Sequence, residues 1–509
     1  MSSRRQPVLF AVAMLTLLAI STPADAQRRR SVAPSPTQVD AIHAEGGYAD
    51  LTSVEQGGAI RFHIATKLSP FSVSIVNLSN PNVVLRQITG LQSRAQSCTA
   101  SFTTGCGWNL TTTVDIPAFW PSGYYAASFP TSLGARNILF VVRPAQPGST
   151  SKILVVSPTN TYQAFNTYGG ASLNPPTSGN RAASLSFDRP YDQAAGLGRF
   201  ESWERKLVDW MSATGRAYEV VTDHDLHDPT LLSNYNVVVL VGHSAYWTAM
   251  ARQHLETFNS NGGHIAILGG NTMWFRVALQ DDGRTLVGQS DAQADFMSEP
   301  NGIITANWYR HPVNQPENRI VATSYRHGGH ANRASVPDRY EMIAIERRTP
   351  WTVTDSNHWV FNGTGLVRGA TFGHETTGLE VDGVVYNCDI SGNAVGPDGS
   401  DEAPLNYHIL AVTPASLGWG TMGYYVNAAG GAVFNAASQG WVWGLEFDDV
   451  VQRITANVLD RFVSGTPLQY DPVQTSIVAQ DLFNCPQTLI AQSGWRTNGA
   501  RGAVTSGCA

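Results

Sequence analysis

Four short segments carry side chains able to move a proton, hold a cation or grip a carbonyl. They are Thr222-Asp223-His224-Asp225-Leu226-His227, Gly242-His243-Ser244-Ala245-Tyr246-Trp247, Gly269-Gly270-Asn271-Thr272 and Asn160-Thr161-Tyr162-Gln163-Ala164-Phe165-Asn166. Asp223, Asp225 and His227 offer two carboxylates and an imidazole, a donor set for a metal ion, although Asp-rich runs ahead of a helix serve equally as caps and turns. His243 can act as a general base or a ligand, or satisfy backbone groups. Tyr246 can aim its phenol into a cleft, where it donates a hydrogen bond or, once deprotonated, binds iron. Asn271 stands at a turn where hydrolases of related architecture carry a Ser or Cys nucleophile, as in the Gly-x-Ser-x-Gly elbow. An amide there disfavours acyl-enzyme chemistry and suits orienting a substrate carbonyl or shaping an oxyanion site.

Each segment follows an apolar run, at 153–156, 218–221, 237–241 and 265–268, and these runs alternate with helical periodicity over 201–213 and 249–259. The alternation predicts a parallel sheet, in which ligands bind beyond the carboxyl ends of the strands. Within 201–213, Trp203, Leu207, Trp210 and Met211 share one helix face, and a last helix is expected over 449–463. Upstream, residues 44–145 hold short β-branched and aromatic runs separated by turn residues, the pattern of a β-sandwich (Ig-like). Between 280 and 445, Gly, Pro and Asn are frequent, and short strands are expected at 319–323, 359–361 and 441–445 as mixed β extensions. The expected division is a signal peptide (1–26), a linker (27–43), the sandwich (44–148), an α/β domain (149–465) and a tail (466–509).

The composition narrows the function. Of 509 residues, 42% are hydrophobic and 14% charged, which excludes a disordered chain, and a net charge of −6 gives no electrostatic pull toward nucleic acid. Arg4 and Arg5, the apolar run 8–20 and Ala24-Asp25-Ala26 read as a secretory signal, since that run falls short of the roughly 20 residues needed to span a bilayer. The protein is therefore expected to be exported, periplasmic or extracellular, with no membrane anchor after cleavage. In an oxidising compartment Cys98 can pair with Cys106 and Cys485 with Cys508, leaving Cys388 as an odd, buried and inert thiol.

Taken together, these segments resemble the N,N-dimethylformamidase large (beta) subunit-like C-terminal domain family. The resemblance rests on residues 160–166, Ser186-Phe187-Asp188-Arg189-Pro190-Tyr191, Thr222-Asp223-x-Asp225-Leu226-His227, Gly242-His243-Ser244-x-Tyr246-Trp247, Gly269-Gly270-Asn271, Pro316-Glu317-Asn318 and Trp441-x-Trp443-Gly444-Leu445. It implies an α/β core similar to class I glutamine amidotransferases, a flavodoxin-like parallel sheet, without the cysteine nucleophile. It also implies hydrolysis of small N-substituted amides and a mononuclear iron held by two tyrosines and a carboxylate. Tyr246 is the candidate ligand that the matching motif identifies, and the other two ligands are unassigned.

The expectation is thus an exported hydrolase of an amide C–N bond in a small or envelope-derived substrate. Tyr246 would bind metal or the developing oxyanion, His243 would move protons, and Asp223, Asp225 and His227 would ligate or orient. Asn160, Tyr162, Asn166, Glu204 and Trp247 would line the substrate side. The competing expectation is a non-catalytic secreted protein that binds a ligand or glycan on the same scaffold. The enzymatic reading requires Tyr246, His243 and Asn271 to meet at one rim.

Overall fold

The computed structural model describes residues 45–93, 96–98, 101–175, 179–288, 297–298, 304–330, 349–388, 394–472 and 483–484. The expected signal peptide and linker, and the Cys485–Cys508 pair, lie outside the described residues.

Residues 46–143 form two sheets. One holds the strands Gly46–Ala49, Ala59–Ala65 and Thr112–Asp115; the other holds Ser53–Glu55, Gly134–Arg143, Gly123–Thr131, Phe71–Asn77 and Val84–Leu91, in that order. Alternation along the strands turns Ile60, Phe62, Val73, Ile75, Val114, Tyr125 and Phe140 into one shared core. The opposite face of the second sheet is apolar too: Leu78, Tyr124, Ala126, Leu139 and Val141 join the core that contains Val155, Trp203 and Phe200. The Cys98–Cys106 disulfide forms.

The central sheet has nine strands. Glu219–Thr222, Ile153–Ser157, Val237–Gly242, His264–Gly269 and Ala432–Asn435 lie side by side and parallel; Gly418–Val426, His408–Ala415, Trp351–Val353 and Thr371–Phe372 continue the sheet antiparallel. Helices Glu204–Ala213 and Asp449–Val463 bury Leu207, Val208, Met211, Ile454, Val458 and Phe462 in the core on one side of the sheet. Helix Ala249–Ser260 buries Ala251, Leu255 and Phe258 in the core on the other.

The expected flavodoxin-like α/β core is not what this chain forms. Strands make up 37% and helices 19% of the described residues, distributed over several mixed sheets. Parallel neighbours need a long crossover, whereas antiparallel neighbours need only a tight turn. The Gly- and Asn-rich second half supplies turns, so it builds hairpins such as the one joining Ala415 to Gly418. Three short segments also differ from the strands expected there. Asn318–Val321 is one turn of helix, and Trp359–Phe361 and Gln439–Glu446 are 3-10 helices. In the last, the Ser438 hydroxyl accepts the Gly440 N–H at 3.2 Å and starts the helical turn. Cys388 is disulfide-bonded, so it is not the odd thiol expected. Its strand, Tyr386–Cys388, pairs with Phe483–Asn484, which ties part of the tail into a sheet.

Glu219 fastens the edge of the central sheet. Its carboxylate accepts the Gly148 N–H at 2.8 Å, the Thr150 N–H at 2.8 Å and hydroxyl at 2.6 Å, and the Tyr235 hydroxyl at 2.5 Å. Burial alone would raise its pKa, but these donors outweigh burial and hold it below the ordinary 4.5. Glu219→Gln should cost about 2–3 kcal/mol at pH 7, because an amide cannot accept every one of these bonds. A depressed folded-state pKa contributes stability that is complete above the ordinary value and fades as pH falls below it. Urea titrations should therefore show a constant gap to wild type from pH 7 to about 4.5 and a narrowing gap as pH falls further toward about 3; a gap unchanged down to about pH 3 contradicts the account.

Candidate functional site

At the carboxyl end of Val237–Gly242 the chain turns at Gly242, with φ of +54°, a conformation suited to glycine. A Cβ there would lie 2.5 Å from Trp203 Cβ, so the strand end and the start of helix Glu204–Ala213 are in close contact. His243 follows, wholly buried. At the end of the neighbouring strand His264–Gly269, Asn271 adopts φ of +52°, and its N–H donates to the Asp382 carboxylate at 2.8 Å. Asp382 also accepts the Thr272 N–H at 3.4 Å. Burial pushes the Asp382 carboxyl up to about 8 despite these two donors.

His243 and Asn271 meet, as expected of them, but around a residue that the motif reading missed. Glu380 Oε2 accepts from Asn271 Nδ2 at 3.0 Å, lies 3.4 Å from His243 Nε2, and also accepts from the Gln439 amide. Asn271 Nδ2 is 3.5 Å from His243 Nε2. With Glu380 at Nε2, the favoured neutral tautomer carries its proton there and leaves Nδ1 as a bare acceptor. His243 Nδ1 and Asn271 Oδ1 are both buried and, among the described residues, have no hydrogen-bond partner. Burial lowers the His243 pKa to about 4 although the Glu380 charge opposes it, so the imidazole is neutral at physiological pH. The signal for Glu380 and Asp382 was available: Glu380-Val381-Asp382 alternates acid and apolar residues ahead of Gly383, as a strand does.

The rim required of the enzymatic reading is met only in part, by His243 and Asn271 with Glu380 as the third group; Tyr246 is buried on a different set of contacts. Its ring stacks on Phe275 at 4.7 Å and meets Phe165 edge-on at 6.1 Å. Phe165 in turn touches the His243 ring at 5.1 Å, so Phe165 contacts both rings. Tyr162, one helical turn before Phe165, gives its hydroxyl to Glu204 Oε2. The implied iron set of two phenols and a carboxylate does not fit these contacts. Among the described residues the rings packed on Tyr246 are phenylalanines, the Tyr162 phenol is committed to Glu204, and Tyr162 and Tyr246 belong to different core clusters. Among the described residues no group of three or more His, Cys, Asp or Glu is placed to hold a metal.

The Asp-rich turn is structural. Asp223 accepts the Thr159 hydroxyl and, at 2.9 Å, the Asn160 N–H, capping helix Thr159–Phe165. Asp225 accepts the Thr222 N–H at 2.7 Å and the Ser53 hydroxyl at 2.8 Å. His227 Nε2 lies 2.7 Å from the Thr248 hydroxyl. These three side chains have separate partners and do not converge. Asn160 Oδ1 holds His224 Nε2 at 3.0 Å. Asn166 uses both amide protons on Gln163 and Pro190, each at 3.0 Å, and its oxygen on the N–H groups of Tyr168 and Asp192. Trp247 is fully buried with its indole N–H on Ser244 O at 2.9 Å. A cavity of about 40 Å³ lies elsewhere, between the first sheet and Ser157, Thr159 and Tyr191.

Asp382 holds the Asn271 turn, so Asp382→Ala should strand two buried N–H donors and cost about 2–4 kcal/mol, whereas Asp382→Asn keeps an acceptor and should cost less than half of that. Chemical denaturation of the two variants measures the difference; equal losses contradict the role.

Comparison with known proteins places this sequence in a family. The family model described as N,N-dimethylformamidase beta subunit-like, C-terminal, matches residues 79–456, a span that includes His243, Asn271, Glu380, Asp382 and Gln439. The N,N-dimethylformamidase beta subunit of Paracoccus aminophilus is 22% identical over 434 residues, covering 71% of this chain and 55% of the relative. That of Alcaligenes sp is 22% identical over 435 residues, with the same coverage of 71% and 55%. The chain spans about half the length of these curated relatives. With the match extending over most of its length, the chain belongs to the N,N-dimethylformamidase beta subunit-like, C-terminal family.

Proposed function

We propose that the chain is a hydrolase of the amide C–N bond in a small substrate, with His243 as the base that activates water. The observation that carries this reading is that His243 and Asn271 meet at 3.5 Å with Nε2 held against Glu380, while among the described residues His243 Nδ1 and Asn271 Oδ1 are buried without a partner. A water molecule between these two atoms would give one proton to Nδ1 and donate its other to Oδ1, which aims the oxygen lone pair at a carbonyl carbon. Glu380 stabilises the imidazolium that forms, and Asp382 fixes the turn that carries Asn271. His243 performs this role from its neutral form, so the base is competent above about pH 4. The family membership and the dimethylformamidase relatives support the reaction class.

The burial of His243, Asn271 and Asp382 suits a small substrate better than a polymer. The Cys98–Cys106 disulfide agrees with export through the amino-terminal signal. Among the described residues no helix is long and apolar enough to cross a membrane.

The test is a panel of small amides, N,N-dimethylformamide, formamide and N-alkylacetamides, with release of amine as the readout. Wild type should turn over at least one member, and His243→Gln should lower kcat/KM by about 10²–10⁴. An inactive wild type, or a His243→Gln variant with undiminished activity, removes the reading.

A further inference from the structure

Helix Thr159–Phe165 is buried along its whole length, and residues 162 and 165 lie one turn apart on one face. At the first position the Tyr162 hydroxyl donates to Glu204 Oε2; at the second the Phe165 ring packs on His243 at 5.1 Å. A second connection joins the same two groups. Trp203, the neighbour of Glu204, presses on Gly242, the neighbour of His243, where an added Cβ would lie 2.5 Å from Trp203 Cβ. Glu204 is fully buried, and among the described residues its other oxygen, Oε1, has no hydrogen-bond partner; nor has the Trp203 indole N–H. The Arg199 guanidinium lies 4.4 Å from the centre of the Phe165 ring.

The groups that act on Glu204 are the phenol of Tyr162 from the helix, the phenol of Tyr124 from strand Gly123–Thr131 and the charge of Arg199. Those that act on His243 are Glu380 and Arg199. In both cases burial outweighs them, and it drives the two groups apart: the carboxyl rises to about 8 and the imidazole falls to about 4. Near neutral pH Glu204 therefore carries its proton, and at Oε1 that proton has no acceptor among the described residues. Two titratable groups joined through one buried helix and pushed in opposite directions are the pattern of an acid and a base.

We propose that Glu204 is the general acid of the site, delivering the proton on Oε1 to the nitrogen that leaves. This role rests on the amide-hydrolase reading and adds the group it lacks. His243 takes a proton from water as the oxygen adds to the carbonyl carbon. The C–N bond then breaks with its electron pair on nitrogen, and Glu204 protonates that nitrogen. The proton on His243 returns to the Glu204 carboxylate through solvent, so the products are one acid and one amine.

The experiment compares two amides with the same acyl group in the full-length protein. One releases an alkylamine, which cannot leave without a proton; the other releases a nitroaniline, which can. Glu204→Gln should lower kcat/KM on the alkylamide about 10²–10³-fold and on the nitroanilide less than about 5-fold. Tyr162→Phe removes a hydrogen bond that favours the carboxylate, and should move the basic limb of the alkylamide pH profile upward. The infrared difference spectrum of wild type minus Glu204→Gln at pH 7 should contain a protonated-carboxyl band beyond that of Asp382, which both proteins share. Equal losses on both amides, an unmoved basic limb or a missing band overturns the acid role alone. A wild-type protein inactive on both amides overturns the hydrolase reading and the acid role with it, even where the band is present.

Discussion

Strands buried on both faces have room for polar side chains only at their ends, and four such strands lie side by side in the centre of this protein. Their interiors are Val, Leu, Ile and Ala. Polar chemistry is therefore displaced to the two rims, and the carboxyl rim collects Ser157, Asp223, His243 and Asn271. What makes this rim unusual is that it is also buried. The apolar outer face of the Gly123–Thr131 and Gly134–Arg143 strands joins the core beside it, and the Glu380–Gly383 strand brings two carboxylates against it from the second half of the chain.

Burial of so many ionisable groups has one electrostatic consequence. Without water each group tends to its neutral form, so Asp382 and Glu204 rise while His243 and His224 fall. Where backbone or hydroxyl donors are numerous the opposite holds, as at Glu219. The contrast separates two kinds of buried carboxyl. Glu219 is saturated by donors and acts as a fastener. Glu204 has one strong donor and an empty oxygen, which makes it a reservoir for a proton.

The elements that position the site were legible wherever hydrophobic period was strong. The runs ending at Ser157, Thr222, Gly242 and Gly269 are strands, and the periodicity of Leu207, Trp210 and Met211 lies on a helix. It failed where packing overrides propensity: Trp441, Val442 and Leu445 look like strand residues, yet Gly440 and Gly444, each too close to its neighbours to accept a Cβ, allow a tight helical path instead. The flavodoxin-like expectation failed for a related reason. Glycine-rich sequence states that the chain turns and is silent on whether the next strand returns parallel or antiparallel.

The pairing of His243 with Asn271 was foreseeable, since both follow strands that sit side by side and ligand-bearing turns gather there. The metal reading of Asp223, Asp225 and His227 rested on residue type and on their place after a strand, and their side chains are spent on the helix cap, the Ser53 hydroxyl and the Thr248 hydroxyl. Local order along the chain determined which residues lie at strand ends, because apolar period and turn chemistry act over a few neighbours. Only the tertiary structure decided that Glu380, more than a hundred residues from Asn271, supplies the carboxylate, and that Phe165 rather than a donor stands between Tyr246 and His243, because contacts between distant segments depend on how sheets pack and leave no period in the sequence.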